Sequence, residues 1–286
     1  MRISQILLAD GERVSADSVI GTGIDGYVIR TGPSSVMKIP KLEATIHPNG
    51  FLEPNKDNTW LVESLRVEKE VYQRLEGASG IAKCLQITTN GVELEDYRNG
   101  DLEDYIKNKP PPPLNQRLEW ILQLLSFVQV CHVNKVLWFD IALRNLLLAD
   151  DMSLRAIDFA NSTAAPTDAD LKTTEWDGYT ARTEVLHVTN VIYSIARWEK
   201  FQVDCAYETE WPAPDSFPTT HDLRLGEVIS KAWRHQYDSI SDLRSAILSA
   251  ASLQRTSVYQ NPVLIGCALA CTTMLIMQLF SRPRKY

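Results

Sequence analysis

The sequence predicts an α+β fold in which a small, strand-rich part precedes a larger, mainly helical part. Residues 14–40 alternate apolar and polar side chains around a cluster of glycines, as two strands joined by a turn do. Residues 118–130 are mostly apolar over a length that suits a buried helix, and helical patterning continues to about residue 253. We find no internal repeat.

The composition is that of an ordinary globular protein, and it excludes some functions. The 286 residues are 44% hydrophobic and 23% charged, which allows a sizeable buried core. The formal net charge of −7 argues against the basic face that non-specific nucleic-acid binding requires, so no nucleic-acid partner is expected. The five cysteines show no metal-ligand spacing, and the N-terminus resembles no secretory signal, so we expect an intracellular protein with reduced thiols.

Local patterns predict the elements that follow the first strands. Residues 41–60 hold Pro, Asn and Gly without periodicity and predict a surface loop. Residues 61–75 have the spacing of an amphipathic helix, and short strands are expected at 84–88 and 91–95. The KNKPPPPL run at 107–114 separates two helices, because proline disrupts a helix interior.

A glycine-rich turn lies between the first strands, at Gly21, Gly23 and Gly26, with Val28 just after it. Glycines let a hairpin backbone approach phosphate groups without a clash from a side chain. Many such patterns are only turns, and that alternative stays open. A dinucleotide-binding fold is disfavoured because the next element has the pattern of a strand rather than a helix.

A lysine follows in an apolar strand, at Lys38. Burying this charge is costly unless an acid pairs with it. Glu68 is the candidate partner, because helical spacing puts it on one face with Val71 and Leu75, whereas Glu70 is expected on the solvent face. The alternative is that Lys38 is an exposed strand lysine.

Three further polar residues stand in a segment, 133–160, that predicts short strands and loops. Asp140, Asn145 and Asp158 lie in loops between apolar strands. Two carboxylates and an amide on rigid strand ends suit a divalent metal ion and a hydroxyl nucleophile. Each residue alone is a common turn former, so only the joint pattern carries this interpretation.

Taken in order, these motifs resemble those of the eukaryotic protein kinase superfamily. The matching segments are GTGIDGYV, VMKI, VEKEVYQRL, DIALRN and AIDFA, linked by ELEDYRNGDLEDYI and VCHVNKVLWFD. The segment LGEVISKAWRHQYDSISDLRSAI near the end resembles divergent kinase-like proteins abundant in fungi. The resemblance covers about residues 14–253. It implies a two-lobed protein-kinase-like fold, with a small antiparallel-sheet N-lobe over 14–97 and a mainly helical C-lobe over 98–255.

The resemblance also implies an ATP site between the lobes. The residues that would surround ATP are Gly21, Gly23 and Gly26 over the phosphates, Val28, Val36 and Leu147 around the adenine, and Glu95 and Tyr97 at the hinge, with Leu94 as gatekeeper.

The implied reaction is an in-line transfer of the γ-phosphate to a protein hydroxyl, which depends on positioning and charge neutralisation. Lys38 would hold the α- and β-phosphates and would itself be oriented by Glu68. Asp140 would accept or orient the proton of the substrate hydroxyl. Asn145 and Asp158 would bind Mg²⁺.

The immediate neighbours of these residues depart from the family pattern. The family's His-Arg-Asp is Trp138-Phe139-Asp140 here, and its Asp-Phe-Gly ends in Ala160. Without the arginine, control through its contact with an activation-loop phosphate is not available. Trp138 is expected to fill the place of the histidine by packing, and Ala160 is expected to narrow backbone freedom after the metal ligand.

Substrate recognition is the least specified part of the resemblance. No Ala-Pro-Glu follows Asp158, and Glu184 stands where the family has an aspartate that braces the catalytic loop. Ala142 is closer to the tyrosine-kinase pattern, in which Arg144 would supply positive charge near the γ-phosphate. Arg144 could equally be a structural surface arginine. Thr173, Thr174 and Tyr179 are either phosphorylation sites or ordinary loop residues.

Two alternatives to an active protein kinase remain. One is a pseudokinase, an ATP-binding or scaffolding module with little or no transfer activity, which the departures at Trp138, Phe139 and Ala160 favour. The other is a small-molecule kinase on the same fold, which would explain the missing peptide-binding motif.

The C-terminal segment 262–280 carries no charged residue and precedes the basic run SRPRKY. As a helix it would be about 28 Å long, close to the hydrocarbon thickness of a bilayer. We expect a C-terminal hydrophobic helix that acts as a transmembrane tail anchor, with the kinase-like part facing the cytosol. The basic tail fits the positive-inside rule poorly in that orientation, and a helix packed on the large lobe is the alternative.

Overall fold

The strands and helices come from a computed structural model, which describes residues 5–42, 44–55, 58–173, 175–176, 178–205 and 207–259. These residues form a mixed α/β structure with an antiparallel sheet and several helices. This arrangement fits the predicted kinase-like fold, while the lobe boundaries at 14–97 and 98–255 stay predictions.

The strands of the described part are short. In chain order they are β1 (Gln5–Leu7), β2 (Arg13–Ser15), β3 (Val19–Thr22), β4 (Gly26–Arg30), β5 (Ser35–Pro40), β6 (Ala44–Ile46), β7 (Leu52–Pro54), β8 (Cys84–Ile87), β9 (Val92–Glu95), β10 (Val136–Leu137), β11 (Leu146–Leu148), β12 (Leu154–Ala156) and β13 (Thr163–Ala164). The helices are α1 (Thr59–Arg74), α2 (Leu102–Asn108), α3 (Leu114–Val133), α4 (Ala181–Arg197), α5 (Gly226–Trp233) and α6 (Ile240–Tyr259).

A five-stranded antiparallel sheet organises the first part, with strand order β3-β4-β5-β9-β8. The register pairs Val28 with Lys38 and Val36 with Leu94. One sheet therefore carries the glycine hairpin, the lysine and the residue before the hinge. Helix α1 packs here through Val71 and other buried residues of one face.

The structure differs from the sequence prediction in two places of the first part. Residues 14–40 contain the end of β2 and all of β3, β4 and β5 rather than two strands. Residues 41–60 are not one long loop, because β6 and β7 pair within them. The turn between these strands is closed by the His47 N–H, which donates to Phe51 O at 2.8 Å, and Gly50 adopts φ +81°. The Pro, Asn and Gly residues therefore mark a hairpin turn rather than an unstructured connection.

The second part is built around α3 and α4. Helix α4 is buried along almost its entire length, from Thr183 to Ile195, and it packs against α3 and α5. Its N-terminus is a capping box, in which Thr180 and Thr183 each accept the other's backbone N–H. A rigid, capped helix at the centre of the core gives the preceding loops a fixed base.

Among the described residues, none of the helices combines the length and the apolar character needed to cross a bilayer. The segment 262–280, predicted as a tail anchor, lies outside the described residues. The described cysteines, Cys84, Cys131 and Cys205, are free thiols, as expected of a reduced protein.

Candidate active site

The centre of the candidate site is an ion cluster around Lys38. Its Nζ lies 2.6 Å from Asp158 Oδ1 and 3.0 Å from Glu68 Oε2, with Asp25 Oδ2 at 3.9 Å. Glu68 is buried, with 1% of its side chain exposed, whereas the Asp158 side chain is 31% exposed. The structure thus brings Lys38, Glu68 and Asp158 together, although they lie far apart in sequence.

The carboxylates of this cluster stabilise the positive charge of Lys38. Burial opposes the charged form, but the carboxylates of Glu68 and Asp158 outweigh burial and raise the pKa of Lys38. The ammonium group therefore keeps its charge beside the two carboxylates. Asp25, which sequence reasoning missed, adds a third acid from the glycine hairpin; its position between Gly23 and Gly26 was the available signal.

The glycines of the hairpin are needed for two different reasons. A Cβ at Gly26 would lie 2.8 Å from the Ile39 carbonyl oxygen, so strand packing alone excludes a side chain there. At Gly21 a Cβ would approach Val28 Cβ to 3.3 Å. At Gly23 the nearest atoms are 3.7 Å away, so close packing does not explain this glycine. Of these three glycines, Gly23 is therefore the one that the predicted close approach of the backbone to phosphate would explain.

The residues predicted around the adenine lie on elements that are tied to one another. Val36 and Leu147 are half-buried, and Leu94 is buried beside Val36 in the sheet. The Leu148 N–H donates to Gly100 O at 2.9 Å, which joins β11 to the segment after the hinge. At the hinge itself, the hydroxyl of Tyr97 accepts the Lys83 N–H at 3.0 Å.

A hydrogen bond from the side chain of Trp138 supports the loop that carries Asp158. Its indole N–H donates to Asp158 O at 3.0 Å, and its ring lies 5.5 Å from that of Phe159. Phe159 in turn makes an edge contact with Tyr72 on α1, at 5.2 Å. The expected packing of Trp138 is thus accompanied by an indole hydrogen bond that the sequence did not predict.

Asp140 lies between two neighbours that hold it in place. Arg144 forms an ion pair with the Asp140 carboxylate from an exposed position. Asn145 donates from Nδ2 to the Asp140 carbonyl at 2.8 Å. Arg144 therefore pairs with the candidate catalytic carboxylate of Asp140, and Asn145 donates a hydrogen bond to the backbone carbonyl of the same residue.

The predicted metal ligands have suitable chemistry. Hard oxygen donors such as carboxylate and amide oxygens are what Mg²⁺ prefers. Because the Nδ2 of Asn145 is engaged with Asp140 O, its Oδ1 is the atom left to face a metal ion. Asp158 offers a partly exposed carboxylate. The residues present therefore fit the ion that the sequence predicts.

Glu184 braces the catalytic loop from α4. It is completely buried, and its Oε1 accepts the Phe139 N–H at 2.8 Å. Its other oxygen contacts His132 Nε2, at the end of α3. Glutamate, whose side chain is one methylene longer than that of aspartate, thus contacts the loop from the position where the family resemblance implies an aspartate.

A pocket of about 310 Å³ opens beside Asp140. One wall is the catalytic loop, residues 139–144. Most of the other lining residues come from later segments, among them Tyr179, His187, Asn190, Lys200 and Asp204. The sequence left Tyr179 open as either a phosphorylation site or an ordinary loop residue, and it did not single out His187 or Asp204.

No family model matches the chain. The chain is similar at low identity to curated protein kinases. It is 28% identical over 102 residues to the SNF1-like protein kinase ssp2 of Schizosaccharomyces pombe, covering 34% of this chain and 18% of that protein. It is 26% identical over 169 residues to the carbon catabolite-derepressing protein kinase of Candida glabrata, covering 54% of this chain and 25% of the relative.

The similarity extends to a mammalian protein. The chain is 25% identical over 160 residues to the phosphorylase b kinase gamma catalytic chain, liver/testis isoform, of Rattus norvegicus. This match covers 53% of the chain and 38% of that relative. In all three cases the chain matches well under two thirds of the relative's length.

Proposed function

We propose that this chain, a divergent protein-kinase-like domain, transfers the γ-phosphate of ATP to a protein hydroxyl in a magnesium-dependent reaction. The observation that carries the proposal is the position of Lys38 Nζ, within 3.0 Å of both Glu68 and Asp158. A buried cation held beside a partly exposed carboxylate is the arrangement that a nucleotide phosphate and its metal ion require. The names of the similar proteins support the reaction class.

Each side chain has a role in this mechanism. Lys38 binds the α- and β-phosphates, and Glu68 keeps its ammonium group in place. Asn145 and Asp158 would hold Mg²⁺, which neutralises charge on the phosphates during transfer. Asp140 orients the substrate hydroxyl, which enters from the adjoining pocket. It accepts the hydroxyl proton as the new oxygen–phosphorus bond forms, while the bond between the γ-phosphorus and the bridging oxygen of the β-phosphate breaks and ADP leaves.

A pseudokinase is the second candidate, and one contact favours it. Arg144 pairs with the carboxylate of Asp140, the group that must face the substrate hydroxyl. An active enzyme must leave the second carboxylate oxygen available or release this ion pair when substrate binds. If neither occurs, the domain binds nucleotide without transferring phosphate.

One pair of assays separates the two candidates. Binding of Mg-ATP is measured by thermal shift, and γ-phosphate transfer is measured on a mixture of generic peptides, for the wild type and for Asp140→Asn. The proposal expects binding by both proteins and transfer by the wild type alone. Binding without any transfer by the wild type would favour the pseudokinase, and transfer that survives in Asp140→Asn would refute the role of Asp140.

Attachment to a membrane through residues 262–280 belongs to the same proposal, because the segment is uncharged and about as long as a bilayer's hydrocarbon core. The kinase-like part would face the cytosol, where ATP is supplied. Alkaline carbonate extraction of the full chain tests this, and release into the soluble fraction would refute it.

A further inference from the structure

The segment that follows Asp158 packs on the catalytic loop through apolar side chains. Phe139 stands where the family resemblance implies an arginine, and it takes part in a small apolar cluster. The cluster joins the two segments and consists of Leu137, Phe139, Ala165, Ala169, Leu171, Trp176 and Ala181. The phenyl ring of Phe139 thus replaces the arginine that the resemblance implies, whose positive charge would need a phosphate partner.

Tyr179 extends this contact. Its ring lies 4.1 Å from the ring of Phe139, and its hydroxyl donates to Phe139 O at 3.0 Å. The backbones of Tyr179 and Trp176 exchange two hydrogen bonds of 2.8 Å, in a tight turn where Gly178 adopts φ +83°. The turn therefore presents the tyrosine to the catalytic loop in one orientation.

One residue of the pocket wall, His187, contacts the hydroxyl of Tyr179, and Asp204 contacts His187 in turn. His187 Nδ1 contacts this hydroxyl, and His187 Nε2 lies 3.2 Å from Asp204 Oδ1. Burial, with the nearby carboxylates of Glu184 and Asp204, raises the pKa of Tyr179, so the phenol remains a donor.

The backbone of Phe139 needs such support. It adopts φ +64°, a region that a bulky residue rarely occupies unless its surroundings hold it. Both polar backbone groups are held from outside the loop: the N–H by Glu184 at 2.8 Å, and the carbonyl by Tyr179 at 3.0 Å. The next residue is Asp140. The direction of the Asp140 side chain therefore depends on the backbone conformation of Phe139, which these two hydrogen bonds maintain.

We infer that Phe139 and Tyr179 form a latch that needs no phosphate and holds the segment 163–181 on the catalytic loop, with Tyr179 as a positioning residue for Asp140. The aromatic contact and the hydrogen bond hold the two segments together, a role that the resemblance assigns to an arginine paired with a phosphorylated loop. Tyr179 is then a structural contact with its hydroxyl occupied, rather than a phosphorylation site. The effect on catalysis rests on the proposed function, whereas the effect on the segment does not.

The first test measures transfer kinetics. Tyr179→Phe keeps the ring on Phe139 and removes the hydroxyl, and Tyr179→Ala removes both. Tyr237→Phe is the matched control, because it removes a phenol outside the pocket. We expect kcat to fall about tenfold in Tyr179→Phe, the size of one lost buried hydrogen bond, and further in Tyr179→Ala. The KM for ATP should be unchanged, and phosphatase treatment of the wild type should leave kcat within about twofold.

The second test does not depend on activity. Amide hydrogen exchange of the full chain is followed by mass spectrometry for peptides from 163–181 and for peptides from the five-stranded sheet. We expect Tyr179→Phe to speed exchange about tenfold in 163–181 and not in the sheet, with Tyr237→Phe unchanged in both regions. If the wild type transfers no phosphate, this measurement alone decides. Unchanged exchange in Tyr179→Phe, or a phosphatase-treated wild type that loses order in 163–181, would overturn the latch.

Discussion

The indole N–H of Trp138 donates to the carbonyl oxygen of Asp158 at 3.0 Å. This bond joins the catalytic loop to the residue that would hold Mg²⁺, across 20 positions of sequence. Trp138 is fully buried, so its N–H has no access to water and needs a protein acceptor. The bond fixes the backbone of Asp158, which adopts φ +63° and points its carboxylate at Lys38.

Replacing Trp138 by Phe should uncouple the two loops. The ring packing on Phe159 is largely kept, while the hydrogen bond to Asp158 O is lost. We expect the free energy of unfolding to fall by about 1–3 kcal/mol, because a buried carbonyl is left unpaired and volume is lost. The affinity for Mg-ATP should fall as well, which isothermal titration calorimetry would measure.

The control for this substitution is Trp198→Phe. Trp198 donates the same kind of bond, from Nε1 to Lys109 O at 2.8 Å, but at the surface and away from the cleft. It should lose some stability without any change in Mg-ATP affinity. An equal loss of affinity in both variants would show that the Trp138 bond has no specific role.

The brace from α4 gives a second prediction. Glu184→Ala leaves the Phe139 N–H and His132 without their buried partner, which should cost about 1–3 kcal/mol in urea unfolding. In Glu184→Gln the amide oxygen can still accept the Phe139 N–H, so most of the stability and of any transfer activity should remain. Equal losses in the two variants would contradict a role for the hydrogen bond to Phe139.

How much of this site is predictable depends on whether local pattern or long-range packing positions each residue. Helix periodicity alone separates Glu68 from Glu70, and the structure places Glu68 beside Lys38. Their roles in binding ATP stay predictions. Asp25 reaches the same lysine only because the hairpin folds over the sheet, and no periodicity shows that.

Other contacts of the site depend on a single partner far away in sequence. The indole bond of Trp138 requires a carbonyl 20 positions away, and Tyr179 meets Phe139 across 40 positions. A single aromatic residue in a sequence does not indicate which distant residue it will contact. The helical second part was predictable because apolar spacing repeats over many residues, whereas the β6–β7 hairpin was missed because its strands are only three residues each.

The acid beside Lys38 gives a third prediction. Glu68→Gln removes a buried charge that holds the ammonium group, at 3.0 Å. We expect the Kd for Mg-ATP to rise about tenfold or more, because a charge-assisted contact is lost. Glu70→Gln is the matched control two positions away; Glu70 pairs with Arg66 and Arg74 on the outer face. A Kd that changes equally in both variants would contradict the assignment of Glu68.

A pH effect on stability should arise at His235. Burial first, and the nearby Arg182 second, lower the pKa of His235 below its ordinary value of 6.5. Below pH 6.5 the unfolded chain therefore binds this proton before the folded protein does, and the contribution of His235 to stability falls with the pH. We expect His235→Asn, which tolerates the local φ of +62°, to flatten the dependence of urea unfolding on pH between about 5 and 7. An unchanged slope would contradict this assignment.

The most direct test of the central claim is a single-turnover measurement of phosphate transfer from γ-labelled ATP, with Mg²⁺, to a peptide mixture. The wild type, Asp140→Asn and Lys38→Met are compared at equal nucleotide occupancy, which is set from the Kd of each protein. The account predicts label on peptide with the wild type and a loss of at least about a hundredfold in both variants, because proton acceptance and phosphate positioning are each removed. Label transferred equally by the wild type and Asp140→Asn, or by none of the three proteins, would contradict it.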